Sequence, residues 1–517
     1  MSDRARRVLR LIALLLLLIV VGIRLMPHAR RNTNWASSPV AHKPSPPPEL
    51  RLGTLTLTPC EIGRQGVGGV GTTEAFCTAF DVPEDWGAPQ GRHIQLRVAI
   101  VKSSAPRPPS DLVTFLDGGP GGAATEDYPA IAPAFAPLRE KRDILLVDQR
   151  GTGASNPLRC ESEKNSDTAA VKDIADRIQL VQQCLDKVRG FAAPERYTTT
   201  DAARDLEHVR QALGSPLLNL IGGSYGTRMA QQYAGHYPGS VRSVVLDSTV
   251  PNELALGSEH ARNLEAALHA EFALCTKATR CQQNFGDTYQ TLYRLRDHLR
   301  GHPEEVALRD PNNFEPTRLR MSADDLAAIV RFYAYSPVTA ALLPLMLNEA
   351  DHGNYEPLLS QKKMLTDSLG TEIDSGMELS VICTEDADLL AARAEDATTL
   401  MGNTTVDRIK SACSVWPRGE RPAAFHRPFT SALPVLILEG QYDPVTPPAY
   451  GAQQLKTLSH ARMLVAPGQG HIVIIAGCMP KLVGEFIDEL QPAKIDASCL
   501  KQLGDTPAFV DFNGAQP

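Results

Sequence analysis

Residues 217–226 read Leu-Leu-Asn-Leu-Ile-Gly-Gly-Ser-Tyr-Gly, an apolar run that passes straight into a G-x-S-x-G motif. The run Leu217–Ile221 has the length and character of a buried strand, and Thr227 to Gly235 continues with helical composition. A serine between strand and helix sits on a sharp turn. The strained backbone and close packing there need small residues two before and two after it, as Gly222 and Gly226 supply. Helix N-terminal amides then face the hydroxyl, so Ser224 is the candidate nucleophile and the N–H of Tyr225 a candidate oxyanion donor.

Working outward, short apolar runs alternate with helical periodicity from about 94 to 250, the pattern of a mostly parallel sheet flanked by helices. Expected strands are Ile94–Val101, Leu112–Leu116, Asp143–Asp148, Leu217–Ile221 and Val241–Asp247. Between two of them, Ala202, Leu206, Val209 and Leu213 fall at helical spacing until Gly214 stops the helix. Strand character returns at Pro434–Glu439 and Ala461–Ala466. The intervening stretch, 251–430, is largely helical, for example Glu259 to Leu274 and Ala323 to Tyr333, with few strand-like runs. It reads as a cap inserted into one α/β core made of 51–250 and 431–517.

A serine hydroxyl needs a general base, and that base needs an orienting carboxylate. Among thirteen histidines, His471 follows the last strand through the loop Pro467-Gly468-Gln469-Gly470. Asp443 lies four residues beyond the strand Pro434–Glu439. The order Ser224, Asp443, His471 suits a nucleophile elbow on an α/β sheet. After the strand Leu112–Leu116 comes Asp117-Gly118-Gly119-Pro120-Gly121-Gly122, where the backbone N–H of Gly119 is the expected second oxyanion donor.

The chain has 517 residues, 21% charged and 43% hydrophobic, a globular composition. Lys and Arg total 52 against 59 Asp and Glu, a net charge of −7, which argues against a nucleic-acid partner. Residues 11–23 form an uncharged apolar run with arginines on both sides, and 32–50 is a Pro-rich linker. Residues 1–31 therefore read as a signal peptide or membrane anchor; secretion and tethering both fit. Ten cysteines agree with an oxidising periplasmic or extracellular destination. In chain order they form close neighbours, Cys60/Cys77, Cys160/Cys184, Cys275/Cys281, Cys383/Cys413 and Cys478/Cys499, and local pairing is expected. No C-x-x-C occurs, and Gly301 and Pro303 break the helix that a His298/His302 metal pair would need. No metal or cofactor is expected.

The elbow GGSYGT, the GGPGG loop, the run Asp148-Gln149-Arg150-Gly151-Thr152-Gly153-Ala154-Ser155, the GQYDPVTP loop and the GQGH loop together resemble the α/β-hydrolase serine peptidases of the proline iminopeptidase and tripeptidyl aminopeptidase type. The paired cysteines, long insertion and YDPVTP loop are most similar to the exported tripeptidyl aminopeptidase branch. The resemblance spans about residues 52–505. It implies an α/β-hydrolase fold, a Ser224, Asp443, His471 triad, and removal of short peptides or single residues from free N-termini. Iminopeptidases usually carry His where this chain has Asp117, which points away from strictly prolyl activity. An exopeptidase must also hold a substrate ammonium. In the family the acids come from the cap, so Glu385, and after it Asp386, are the expected anchors. Arg150 is expected to be structural. The triad alone would equally serve an esterase, a lipase-like hydrolase or a lactonase.

Overall fold

The computed structural model describes residues 49–64, 71–160, 174–215, 217–369 and 373–514. The N-terminal segment and most of the linker lie outside the described residues. Ten strands form one sheet: β1 (Leu50–Leu52), β2 (Leu55–Ile62), β3 (Thr73–Pro83), β4 (His93–Val101), β5 (Leu112–Leu116), β6 (Ile144–Val147), β7 (Leu218–Gly223), β8 (Val241–Asp247) and, after a hairpin β9 (Glu304–Arg309) and β10 (Pro316–Met321), β11 (Val435–Gly440) and β12 (Ala461–Ala466). Their order across the sheet is β1-β2-β3-β4-β6-β5-β7-β8-β11-β12.

The antiparallel part runs from β1 to the β4/β6 pair, and every pairing from β6 to β12 is parallel. Strands β5, β7 and β11 are buried along their whole length, as parallel strands covered on both faces must be. That is why they read as unbroken apolar runs. One face carries the helices Thr199–Ala212 and Tyr225–His236 on a core including Leu206, Val209, Leu220 and Tyr233; the other packs Met479–Glu489 through Leu482, Val483, Phe486 and Ile487. Strand order reverses between β5 and its neighbours, which opens a crevice at the carboxyl ends of β5 and β7.

The chain leaves the sheet after Asp247 and returns at Val435. The segment between has its own apolar core, including Leu264, Phe272, Leu292, Leu326, Val330 and Leu347. Its helices His260–Lys277 and Ala323–Tyr333 lie close to expectation, the second capped by Ser322, whose side chain accepts from the Asp325 amide. Two sets of strands differ from the sequence reading. The hairpin β9/β10 was not expected in a helical insertion; its strands are short, and each carries only two inward apolar positions, Val306 and Leu308, Leu319 and Met321, with exposed residues between them. The β1–β3 meander was also missed, because exposed polar residues interrupt its buried positions.

Five disulfides join Cys60–Cys77, Cys160–Cys184, Cys275–Cys281, Cys383–Cys413 and Cys478–Cys499, and such bonds persist in oxidising compartments. Arg150 is fully buried. It donates two hydrogen bonds to Asp205 at 2.7 Å and others to the carbonyls of Glu84 and Arg196. It ties together the loops around Glu84 and Arg196 and the helix bearing Asp205.

Candidate active site

Ser224 follows the last residue of β7 with φ 52° and ψ −121°, a conformation that L residues avoid. Its amide donates to the carbonyl of Asp247 at the end of β8, 2.9 Å away. The two flanking glycines are required by packing. A Cβ on Gly222 would lie 2.4 Å from the carbonyl oxygen of Gly226, and one on Gly226 only 2.0 Å from that of Leu116 at the end of β5. The elbow is thus pressed against the loop Asp117–Gly122. In that loop Gly119 has φ 106° and is exposed. Among the described residues, neither the Gly119 nor the Tyr225 amide has a protein acceptor.

Asp443 lies in the turn after β11 and is buried. Its Oδ1 accepts from the amides of Val445 and Thr446, both at 2.8 Å, and its Oδ2 from the Thr446 hydroxyl at 2.9 Å and from His471 Nδ1 at 2.7 Å. Burial alone would raise this carboxyl's pKa. The charge and hydrogen bond of His471, with the two amides, outweigh it and hold Asp443 below the usual range.

The His471 loop is fixed from β8. Asp247 accepts the amides of Val473 and Ile474 at 2.9 and 2.8 Å, and the Ser248 hydroxyl accepts that of Ile472 at 2.8 Å. Burial pushes the Asp247 carboxyl up to about 6 despite those amides. Asp247 therefore anchors nucleophile and base at once. Sequence reasoning passed over it, although a carboxylate ending the otherwise apolar run Val244-Val245-Leu246 was a visible signal. Thr446, which also reaches His471 Nδ1 at 3.3 Å, was likewise not singled out.

The structure brings Ser224, Tyr225, Gly119, Asp443 and His471 to the carboxyl ends of neighbouring strands. It places Glu385 and Asp386 differently from the expectation that they meet a substrate ammonium. Glu385 is buried, and its two oxygens accept from the amide and hydroxyl of Thr199 at 2.7 and 2.8 Å. The Thr199 hydroxyl bonds the Tyr225 hydroxyl at 2.6 Å, so the chain of contacts ends behind the nucleophile. Burial, with Asp386 beside it, pushes Glu385 up to about 8. Asp386 forms a fully buried ion pair with Arg228 at 2.8 Å. Both oxygens of Glu385 and Oδ2 of Asp386 are committed to protein partners, while Asp386 Oδ1 is buried without a hydrogen bond, 3.6 Å from His426 Nε2.

A different acid of the insertion is open. Glu271, on the helix His260–Lys277, lines a cavity with Phe272, Pro337, Ala341, Pro344 and Thr506, and its buried Oε2 has no hydrogen-bond partner. Burial raises its pKa well above the ordinary range. Tyr442, next to Asp443, donates to Asp505, the neighbour of the cavity residue Thr506, and its hydroxyl is pushed up to about 12 by burial, by Asp505 and by Glu271. Among the described residues, no cluster of three or more His, Cys, Asp or Glu could hold a metal ion.

Comparison with known proteins agrees with this geometry. Residues 111–477 match the α/β-hydrolase fold family. The chain is 26% identical over 478 residues to serine protease Hip1 of Mycobacterium tuberculosis, covering 85% of this chain and 90% of that one. It is 30% identical over 193 residues to the tripeptidyl aminopeptidase of Streptomyces lividans, covering 34% and 35%. A match to carboxylesterase B of Mycobacterium tuberculosis is 34% identical over 153 residues, covering 27% and 29%. The chain belongs to the α/β-hydrolase family.

Proposed function

We propose that this α/β hydrolase is an exported serine aminopeptidase that releases short peptides or single residues from free N-termini. The observation that carries the chemistry is the 2.7 Å bond from His471 to a buried Asp443 on loops flanking the strained Ser224 elbow. In this reading Ser224 Oγ attacks the scissile carbonyl carbon while His471 takes its proton. Asp443 fixes the imidazole tautomer and stabilises the imidazolium. The N–H groups of Gly119 and Tyr225 receive the charge that builds on the carbonyl oxygen. His471 then returns the proton to the leaving amine, and water repeats the sequence on the acyl-enzyme.

The insertion serves as a cap that restricts access to short peptides. Glu271 is the proposed ammonium anchor, in place of Glu385 and Asp386, because it is an acid of the insertion that lines a cavity with its buried Oε2 unpaired. The relatives named serine protease and tripeptidyl aminopeptidase favour a peptide over an ester substrate. Five disulfides support export, with the N-terminal segment as cleaved signal or tether. An esterase remains the second reading, favoured by the partial match to carboxylesterase B.

The test is hydrolysis of one tripeptidyl p-nitroanilide, free and N-acetylated, beside a p-nitrophenyl ester, by wild type and Ser224→Ala. Turnover of the free-amine anilide, lost by more than about a thousandfold in the variant, is expected. Ester turnover alone, or equal rates on free and acetylated anilides, would replace the aminopeptidase by a general hydrolase.

A further inference from the structure

The base loop is held from a second side, by the insertion. The His471 amide donates to the carbonyl of Tyr335 at 2.8 Å, in the turn that follows the helix Ala323–Tyr333. The Tyr335 ring meets the imidazole edge to face, centroids 5.1 Å apart and planes at 71°. Backbone contact is just as close, since a Cβ on Gly470 would lie 2.3 Å from the Tyr335 carbonyl oxygen. On the opposite side, one on Gly440 at the end of β11 would lie 1.7 Å from the Gly470 oxygen. The base loop is therefore sandwiched between the acid strand and the insertion. Tyr335 is itself braced, its hydroxyl accepting from Arg331 at 3.3 Å, and Arg331 donates to His260 Nδ1 at 3.1 Å.

We propose that Tyr335 is a positioning residue for His471, so that the general base is complete only while the insertion is seated on the core. This inference rests on the reading of His471 as the base. Asp443 fixes one ring nitrogen but leaves the imidazole free to tilt about that bond. The Tyr335 ring removes the tilt, and Nε2, which has no protein partner among the described residues, is held for the Ser224 hydroxyl. A hydrogen-bonded pair displaced by about 1 Å loses on the order of a hundredfold in rate.

Tyr335→Ala keeps the backbone carbonyl and deletes the ring; Tyr335→Phe restores the ring without the hydroxyl; Tyr335→Leu keeps bulk without an aromatic edge. Steady-state kinetics would be measured on the free-amine tripeptidyl anilide and on the p-nitrophenyl ester, with Ser224→Ala as blank. The expected result is a fall in kcat of about 30- to 100-fold for Ala and Leu on either substrate, KM within about twofold, and Phe within about threefold of wild type. Should Tyr335→Ala fail to fold, the Leu variant carries the test. Unchanged kcat in the Leu variant, a change confined to KM, or a Phe variant as impaired as Leu would overturn the proposal. If wild type cleaves only the ester, the aminopeptidase reading fails, while the kcat of the Tyr335 variants on that ester still decides this one.

Discussion

Two acidic sites in the insertion have opposite surroundings. Glu385 and Asp386 sit side by side in a polar network in which Thr199 serves both oxygens of one and Arg228 pairs with the other. Glu271 lies among Phe272, Pro337, Ala341 and Pro344 with one buried oxygen unserved. A buried carboxylate whose partners are all protein is part of the scaffold. One that faces a cavity alone is suited to a partner from outside. On the proposed reading, the difference separates what holds the nucleophile helix to the insertion from what recognises a substrate.

The sharpest way to break that comparison is to unpair the scaffold. Asp386→Ala leaves Arg228 charged and enclosed, and should cost about 3–5 kcal/mol in urea-induced unfolding. Replacing both, Arg228→Met with Asp386→Leu, should recover most of it. Equal losses in single and double variants would show that the pair is not the source.

A smaller effect concerns pH. The Glu385 carboxyl ionises near the ordinary 4.5 when unfolded, but only at about 8 in the folded protein. Unfolding therefore releases a proton between those values, and stability falls as pH rises through that window. Glu385→Gln should flatten this slope relative to wild type, read from melting temperatures at pH 5 and 8. Parallel slopes would contradict the raised pKa.

The smallest effect sharpens the other side. Glu271→Gln should leave kcat and the fold intact and raise KM for free-amine peptides about tenfold, the worth of one charge-assisted hydrogen bond. KM for the p-nitrophenyl ester should not change. Because burial raises the Glu271 pKa, KM for free-amine peptides should fall as pH rises through it and the carboxylate forms. A KM insensitive to Glu271→Gln would remove Glu271 from substrate binding.

The same contrast explains what the sequence could tell. Ser224, Asp443 and His471 each follow a fully or largely apolar strand by a few residues, so local pattern placed them on strand ends before any tertiary contact was known. The glycines around Ser224 were equally legible, because backbone approach within 2.4 Å permits nothing else. The fate of Glu385 and Asp386 was not. Their partners Thr199 and Arg228 lie 186 and 158 residues away, and no local spacing reports such pairing. Glu271 was invisible for the same reason, since its cavity is closed by Pro337 and Thr506 from distant parts of the chain. Asp247 could have been noticed, as a charge at the end of a buried strand demands hydrogen-bond donors, here the amides after His471.

The most direct measurement is mass spectrometry of the first products from one unlabelled hexapeptide, presented with a free and with an acetylated N-terminus. The account predicts that wild type releases short fragments from the free end only, that the acetylated peptide stays intact, and that Ser224→Ala leaves both untouched. Cleavage of both peptides at the same internal bond, or product formation by the Ser224→Ala variant, would contradict it.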